Sequence, residues 1–480
     1  MAYTVSIKKN FFYSSILTIS GYLFPLLTFP YVTRVLGVTN IGICNFVDSI
    51  IQYFILFSMM GIGTTAIREI AKSKEDKRKL SLTFSSLLSL NMITTFIAIF
   101  ILLVCTFVIP NMERHKELFF IGTAKILFNS LLIEWFYKGL EDFKYITARS
   151  LIIRSLYVLS VFLLVKSPDD YLIYFALNVV MVIINAIINL VHSRCFVKYS
   201  INGVRIKPYL ASFITLGIYS LLTSMYTSFN VAYLGFTCGE IEVGYYSVAS
   251  KLFSIILALF TAFTGVMLPR MSSLIAKGNV EQFKILTNKS VEALLAFVLP
   301  LIIITMSYAP TIVRIIAGNG YEESVLPMKI MMPLMFVIGY EQIIIIQVLM
   351  PLKKDKAILQ NSFIGATIAL LANIALVSTY KSVGSAIVWI TSECAVMVSA
   401  QYFVKKYVGL QFPFGQISKR LFFAIPAFAI CIYSYQDSLV RLFLTSLLVY
   451  TVYILYEYYI VKSTIIQEFS NVLMKLLKKK

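Results

Sequence analysis

The chain has 480 residues, of which 59% are hydrophobic and 14% are charged, and its mean hydropathy is +0.83. Apolar runs of about twenty residues, each long enough to span a bilayer, recur from one end to the other. This composition excludes a soluble globular protein, because almost no length remains for a domain outside the membrane. The formal net charge of +19 is therefore interpreted through the positions of Lys and Arg, and no nucleic-acid partner is expected.

Apolar length, with breaks at Pro, Gly and charge clusters, predicts an all-α integral membrane protein with fourteen transmembrane helices. The predicted spans are residues 11–36, 41–66, 80–109, 118–138, 148–166, 170–196, 208–235, 242–268, 289–309, 325–350, 358–379, 384–404, 420–436 and 438–461. Lys and Arg alternate across them, with 31 on the side of the N-terminus and 8 on the other. Since cytoplasmic segments carry the excess of positive charge, both termini are predicted to be cytoplasmic, facing anionic lipid headgroups.

An internal repeat is visible at an offset of about two hundred residues. The matching features are Leu36-Gly37 with Leu234-Gly235 at an offset of 198, Gly42 with Gly244 and Arg68 with Arg270 at 202, and, more weakly, Leu140-x3-Lys144 with Leu352-x3-Lys356. An even number of spans per half gives parallel repeats related by an axis along the membrane normal. We therefore expect pseudo-symmetric six-helix lobes at 1–207 and 208–419, then helices 13 and 14 with a basic cytoplasmic tail at 420–480. Helices 13 and 14 are interpreted as free of intramembrane Lys, Arg and Glu, which favours a peripheral, scaffolding or membrane-packing role.

Charged residues inside spans are functional candidates, because a charge there must face a partner or a water-filled cavity. Lys125 in span four and Lys251 in span eight, one in each half, lie too deep to reach the interface easily. We expect both to face a central cavity, with structural pairing as the alternative. Arg154 lies six residues into span five and could equally extend to the inner surface.

Two helices carry polar residues on one face. Asp48 shares a face of span two with Asn45 and Gln52, which would line a cavity or form a hydrogen-bonded seam between helices. In span seven, hydroxyl, aromatic and amide side chains recur at three- and four-residue steps, a pattern that suits sugar recognition but also packs membrane helices together. The residues of that second face are Ser212, Thr215, Tyr219, Thr223, Tyr226 and Asn230.

Three further acids lie in predicted spans. Glu134 has Lys138 four residues later, which predicts a structural ion pair. Glu341 and Glu393, both in the second half, could pair with Lys251 or with one another. Together with Asp48 they are the candidates for a site that couples transport to H⁺ or Na⁺.

Catalysis has little support in the sequence. The two histidines stand beside no Ser/His/Asp, metal or nucleotide-phosphate motif, and the six cysteines form no Cys-x-x-Cys pair. No enzyme activity, cofactor or metal site is expected. Energy for transport would come from an H⁺ or Na⁺ gradient, the membrane potential or the substrate gradient.

A set of motifs distributed over the chain is similar to those of a known protein family. They are Phe29-Pro30-Tyr31-x2-Arg34-Val35-Leu36-Gly37-x4-Gly42, Gly61-x5-Ile67-Arg68-Glu69-Ile70-Ala71, Trp135-Phe136-Tyr137-Lys138-Gly139-Leu140-Glu141, Gly244-Tyr245-Tyr246-Ser247-x-Ala249-x-Lys251 and Pro269-Arg270. In these the chain resembles the bacterial O-antigen and capsule repeat-unit flippases, the Wzx-type branch of the multidrug/oligosaccharidyl-lipid/polysaccharide exporter superfamily.

The resemblance implies a MATE-like, V-shaped architecture in the bacterial inner membrane, and movement of an undecaprenyl-pyrophosphate-linked oligosaccharide to the outer leaflet by alternating access. Its implied partners are that lipid-linked substrate, the bilayer, and a polysaccharide polymerase with chain-length machinery; a monomer is expected. Cationic partners for the pyrophosphate would be Lys125, Lys251, Arg154 and Arg34. Asp48 departs from the uncharged residue expected there.

Two other functions fit the sequence less well. A cation-coupled multidrug exporter of the same superfamily is the alternative, and a membrane-embedded polymerase or glycosyltransferase is less favoured because the chain lacks a sizeable outer loop. The motif from Phe29 to Gly42 is interpreted as a structural corner, in which Pro30 kinks the first span while Gly37 and Gly42 permit the reversal. Arg34, at the outer mouth, is assigned to gating or late ligand contact, and Arg68 and Arg270 to gating or structure.

Overall fold

The computed structural model describes residues 7–200, 203–468 and 470. Every regular element in these ranges is helical, and eleven helices in the described part are long and apolar enough to cross a membrane. A polytopic helical membrane protein is therefore confirmed. Most of the predicted basic tail lies outside the described residues.

The chain divides into two compact units, Met1–Ser247 and Val248–Lys480. The helices of unit 1 are α1 (Ile7–Met59), α2 (Ile62–Ser73), α3 (Lys77–Val108), α4 (Pro110–Glu113), α5 (Lys116–Ser130), α6 (Glu134–Gly139), α7 (Phe143–Leu164), α8 (Tyr171–Ser193), α9 (Lys207–Thr227) and α10 (Phe229–Cys238). Helix α11 (Glu240–Ala276) continues from unit 1 into unit 2.

The remaining helices belong to unit 2. They are α12 (Val280–Ser307), α13 (Ala309–Ala317), α14 (Val325–Met331), α15 (Leu334–Gln342), α16 (Asp355–Val408), α17 (Phe414–Tyr433) and α18 (Leu439–Tyr456). A π-helical segment, Ile343–Leu349, continues α15, and a second, Glu457–Val461, continues α18.

Two of the helices are each interrupted by one residue with non-helical backbone angles. Helix α1 has 53 residues and breaks at Gly37, whose φ is 72°. Helix α16 has 54 residues and breaks at Lys381, whose φ is 52°. At 1.5 Å per residue, each would extend about 80 Å if straight, far more than the roughly 30 Å of a hydrocarbon core. The breaks fall between predicted spans 11–36 and 41–66, and between 358–379 and 384–404.

Helix α1 is the central element of unit 1, where it packs against α3, α5 and α7. A second core lies where α2 and α6 meet α3, with the aromatic run Trp135-Phe136-Tyr137 buried against Phe84. These three residues begin one of the motifs that carry the family resemblance, and their burial shows that the aromatic rings fill a core.

In unit 2, α12 packs against α15, α17 and α18. Tyr308, Phe423 and Tyr453 are buried together at this junction. Arg420 Nε and Nη2 bond Glu457 Oε1 and Oε2 at 2.6 and 3.0 Å, with side chains 2% and 0% exposed. The interpretation that helices 13 and 14 contain no intramembrane Lys, Arg or Glu was wrong, because Arg420 and Glu457 are buried there. The two charges neutralise each other, which makes their burial tolerable.

The predicted repeat appears as a repeated backbone conformation. Gly37 has φ 72° and ψ 176°, and Gly239 has φ 88° and ψ 176°. These two glycines are 202 positions apart, so the counterpart of Gly37 is Gly239 and the predicted match with Gly235 at an offset of 198 was wrong. Glycine is required at both corners because a side chain is strained at these angles. The weaker echo also recurs, since Glu141 and Lys353, which follow Leu140 and Leu352, both have positive φ.

The two corners also contact each other reciprocally within unit 1. A Cβ added to Gly42 would lie 1.8 Å from the carbonyl oxygen of Glu240, and one added to Gly244 would lie 2.5 Å from that of Val38. Gly42 and Gly244, like Val38 and Glu240, are 202 positions apart. The corner segments therefore pack backbone against backbone about a local pseudo-twofold axis, which only residues without a side chain allow.

Candidate functional site

The interior of unit 1 contains an ion pair between α1 and α5. Lys125 Nζ donates a hydrogen bond to Asp48 Oδ1. The side chain of Lys125 is 11% exposed and that of Asp48 is 37% exposed. A cation held this deep needs a counter-charge, and Asp48, the acid that departed from the expected pattern, supplies it.

A polar cluster from α7 and α8 lies beside this pair. Tyr157 and Tyr174 lie side by side with Asn178, whose Nδ2 donates to the backbone carbonyl oxygen of Tyr174 at 3.0 Å. Asp48 lies near both tyrosines. Sequence reasoning missed these residues, because tyrosine is abundant in the chain and nothing in its spacing distinguishes these two; the available signal was an asparagine inside an apolar span.

Arg154, a predicted pyrophosphate ligand, contacts the first half of α1. Its Nη1 donates to the carbonyl oxygen of Leu17 at 3.0 Å and to the hydroxyl of Ser20. A side chain at Gly21 would lie 3.7 Å from the guanidinium. Arg154 thus connects the first half of α1 to α7 through these hydrogen bonds.

A second cluster joins α6 to α7. The predicted pair of Glu134 and Lys138 is confirmed at 3.3 Å. Glu134 also accepts a bond of 2.8 Å from Arg149, a residue assigned by sequence to an inner segment but only 6% exposed here. Two further guanidinium nitrogens of Arg149, Nε and Nη1, are buried without a partner among the described residues.

The polar face predicted for span seven is divided between two helices. Tyr219 and Thr223 lie half-buried on α9, and Tyr226 is buried on the same helix. Helix α9 ends before Ser228, so Asn230 belongs to the next helix, α10. There it is fully buried, and its Nδ2 donates a hydrogen bond to the Tyr246 hydroxyl at 3.4 Å.

The remaining predicted residues take different positions. Asn45 is half-buried on α1 and Gln52 is exposed. Arg34 is exposed one helical turn beyond Pro30. Arg68 donates to Glu69 at 3.1 Å and to Ser212 on α9 at 3.3 Å. The structural assignment of Arg68 is consistent with this bridge between α2 and α9, while Arg270 is exposed on α11.

The interior of unit 2 contains a pair of acids. Glu341 on α15 is 8% exposed and Glu393 on α16 is 2% exposed, and the two carboxyl groups lie close enough to interact directly. Trp389 Nε1 donates to Glu393 Oε1 at 3.1 Å. Two buried carboxylates this close repel each other when both are ionised, which favours a proton on one of them. The sequence left two possible partners for each acid, which were Lys251 and the other acid. The structure places the two acids next to each other, and Lys251 is exposed.

Two uncharged polar side chains, Gln342 and Gln347, follow Glu341 along the chain. Gln342 bonds Thr261 and Thr264, both at 3.1 Å. The π-helical segment begins at the next residue, and its Gln347 is fully buried with neither side-chain polar atom partnered in the described part of the chain. π-Helical turns are frequent at functional sites. The sequence had signalled none of these residues.

Buried ionisable pairs within membrane-spanning helices are typical of transporters, in which such groups mark substrate and ion pathways. The fold agrees with solved structures: a lipid II flippase, MurJ, in an inward closed conformation matches with a TM-score of 0.76 at 16% identity, covering 93% of this chain and 98% of that one. An outward-facing multidrug resistance MATE family transporter of the MOP superfamily matches with a TM-score of 0.58 at 13% identity, covering 84% and 96%.

The chain belongs to the family described as "Polysaccharide biosynthesis protein", whose sequence model matches residues 7–275. It is 27% identical to the "Putative O-antigen transporter" of Escherichia coli (strain K12) over 84% of this chain and 97% of that protein. It is 24% identical to the protein of the same name from Shigella dysenteriae, over 82% and 98%. The resemblance stated from the motifs is thereby confirmed.

Proposed function

We propose that the protein is a flippase that moves an undecaprenyl-pyrophosphate-linked oligosaccharide repeat unit from the cytoplasmic to the outer leaflet of the bacterial inner membrane. Its relatives are named as O-antigen transporters over nearly their full length, and a lipid II flippase has the same fold. The product would serve O-antigen, capsule or exopolysaccharide assembly, with a polymerase and chain-length machinery as later partners and a monomer as the transporting form.

The Lys125–Asp48 pair is the observation that carries this proposal. Lys125 is largely buried, whereas its partner Asp48 is more than one-third exposed. A pyrophosphate that reaches this pair can replace the carboxylate as the partner of Lys125, since both are oxyanions and phosphate carries more charge. Lys251, Arg154 and Arg34 are proposed as further cationic contacts during transport, with the polyprenyl tail remaining in the bilayer.

The transport path would be built from fourteen helices. Dividing α1 and α16 at Gly37 and Lys381 turns the eleven candidate helices into thirteen, and α11, with 37 residues, supplies the fourteenth. This count supports six-helix lobes at 1–207 and 208–419, with helices 13 and 14 and the tail at 420–480. Both termini would lie in the cytoplasm, and the lobes would alternate access.

Proton coupling is proposed at the acid pair of Glu341 and Glu393. A pair that shares one proton can bind or release a second one as its surroundings change, which links protonation to conformation. Asp48 is the second candidate, because its partner Lys125 can be taken by the substrate. Na⁺ remains the alternative coupling ion.

The test is surface polysaccharide formation in a deletion strain complemented with the Lys125→Gln, Lys251→Gln double variant. We expect surface polysaccharide to be lost beyond any fall in the protein level, which is measured in the same membranes and used to normalise export. Lys277→Gln, which removes an exposed charge, is the matched control and should complement fully. Normal export by the double variant would contradict the proposed pyrophosphate site.

A cation-coupled multidrug exporter is the second candidate, favoured by the MATE-type fold neighbour and the buried acids. Dye extrusion by the purified protein in proteoliposomes, with surface polysaccharide unaffected by deletion, would support that function over the flippase.

A further inference from the structure

A cavity of about 330 Å³ lies in unit 2 at one end of the last two spans. Lys419 and Arg420 near the start of α17, Lys462 and Ser463 after α18, and Glu292 on α12 line it. Helices α17 and α18 are antiparallel neighbours, so the start of one and the end of the other mark the same membrane surface. The volume is in the range of small-ligand pockets.

The charges that line the cavity are unequal. Arg420 is neutralised by its bidentate bond to Glu457. Glu292 Oε2 accepts hydrogen bonds from Thr464 at 2.8 Å and from Ser463 at 3.5 Å. Lys419 and Lys462 are both exposed, and neither forms an ion pair within the part of the chain that the structure describes. Two unpaired ammonium groups facing one carboxylate leave the cavity with one excess positive charge.

Apolar side chains continue from this cavity along the outer face of α17. Phe414 on its rim is 74% exposed, and Phe422 and Ile425, about two and three turns further into the span, are 74% and 75% exposed. Large apolar side chains exposed on a membrane helix face acyl chains. A ligand with a charged head and apolar tails therefore fits the cavity together with this strip, whereas a free anion would use only the lysines.

We propose that this cavity binds the headgroup of a monoanionic glycerophospholipid, such as phosphatidylglycerol, with its acyl chains along α17. The ammonium groups of Lys419 and Lys462 bind the phosphodiester, and Glu292 accepts hydrogen bonds from headgroup hydroxyls. Basic pockets between membrane helices recognise anionic lipid heads in this way. The buried Arg420–Glu457 pair fixes the start of α17 against the end of α18, beside the cavity.

The test is titration of the purified full-length protein with phosphatidylglycerol, measured by native mass spectrometry against phosphatidylcholine. We expect phosphatidylglycerol to bind more tightly, and Lys419→Gln, Lys462→Gln to weaken it by roughly tenfold or more. The matched control is Lys405→Gln, Lys406→Gln, which removes two exposed charges that do not line the cavity. An equal loss in both double variants would show diffuse surface attraction and overturn the proposal.

The carboxylate distinguishes the headgroups. Glu292→Gln should tighten phosphatidylglycerol, because it removes the one repulsive charge and keeps an acceptor oxygen for Thr464. The contrary result is that this variant binds phosphatidylglycerol more weakly and that the wild type prefers phosphatidylethanolamine. It would identify the ligand as an ethanolamine lipid and contradict the proposal. Displacement by inorganic phosphate at constant ionic strength would instead show a free-phosphate site. Thermal unfolding without added lipid checks that each variant is folded.

Discussion

The interiors of the two units solve the problem of buried charge in opposite ways. Unit 1 places a lysine against an aspartate, and unit 2 places two glutamates against one another. An opposite-sign pair is neutral when both members are ionised, and a competing anion can take over the cation. A same-sign pair is tolerable only while it holds a proton. The difference favours substrate exchange in unit 1 and proton exchange in unit 2.

The two pairs also differ in what a mutation leaves behind. Removing one member of an ion pair leaves an uncompensated charge in a poorly solvated place, which costs free energy of folding. Removing one acid of the second pair leaves a carboxyl group that can remain protonated and neutral. Loss of one partner should therefore damage folding in unit 1 more than in unit 2.

The largest effect is expected from Lys125→Gln. It should abolish export and lower the free energy of unfolding by up to about 3 kcal/mol, toward the low end for broken buried pairs because Asp48 is partly exposed. Adding Asp48→Asn should restore most of the stability but none of the export. Thermal unfolding and surface polysaccharide measure the two properties separately. Export by the neutral double variant would remove the functional distinction between the pairs.

An intermediate effect is expected from Glu393→Gln. The amide can accept from Trp389 and donate to Glu341, so unfolding should change little, but it cannot exchange a proton. We expect roughly tenfold slower transport, typical of lost coupling between sites, and loss of its response to an imposed pH gradient. Proteoliposome flux with and without the gradient measures this. Gln342→Leu, which alters a neighbouring group that does not titrate, is the control; an unchanged gradient response in Glu393→Gln would contradict proton coupling here.

The smallest effect is expected at an ion pair outside the spans, between His115 Nε2 and Glu240 Oε1 at 2.8 Å. Partial burial raises the pKa of Glu240, but the hydrogen bond and charge of His115 outweigh it and lower that pKa overall. Stability from this group is present above the unfolded-state pKa of 4.5 and is lost as pH falls through the lower folded-state value. The contribution is under about 1 kcal/mol, as for other accessible pairs.

Unfolding temperatures between pH 3 and 6 test this baseline. Glu240→Gln should lower the unfolding temperature slightly near neutrality, where the wild-type contribution is fully present, and should flatten the acid side of the profile. A slope that is the same in both proteins would assign the acid sensitivity to another group.

The sequence identified the important charges one by one but not their partners. Lys125, Asp48, Glu341 and Glu393 were recognisable because an ionisable group in an apolar span is costly. Which of them meet depends on the rotation and register of packed helices, and these are set by many side chains far apart in the chain. The pair of Glu134 and Lys138 was predictable because both residues lie four positions apart on one helix.

The corner at Gly37 shows a different limit. The Leu-Gly identity suggested Gly235 as its counterpart, whereas the backbone angles identify Gly239. Residue identity misled here because Gly235 has its own role, admitting the Phe46 ring 2.1 Å from where its Cβ would be. Similarly, Glu457 was overlooked at the end of a span, since its partner Arg420 lies 37 positions away.

The most direct measurement of the central claim is the affinity of the purified protein for undecaprenyl pyrophosphate in wild type, Asp48→Asn and Lys125→Gln. If substrate and Asp48 compete for Lys125, Asp48→Asn should bind more tightly than wild type because its lysine is already free, and Lys125→Gln should bind more weakly. Equal affinities in all three proteins, or weaker binding by Asp48→Asn, would contradict the exchange at this pair.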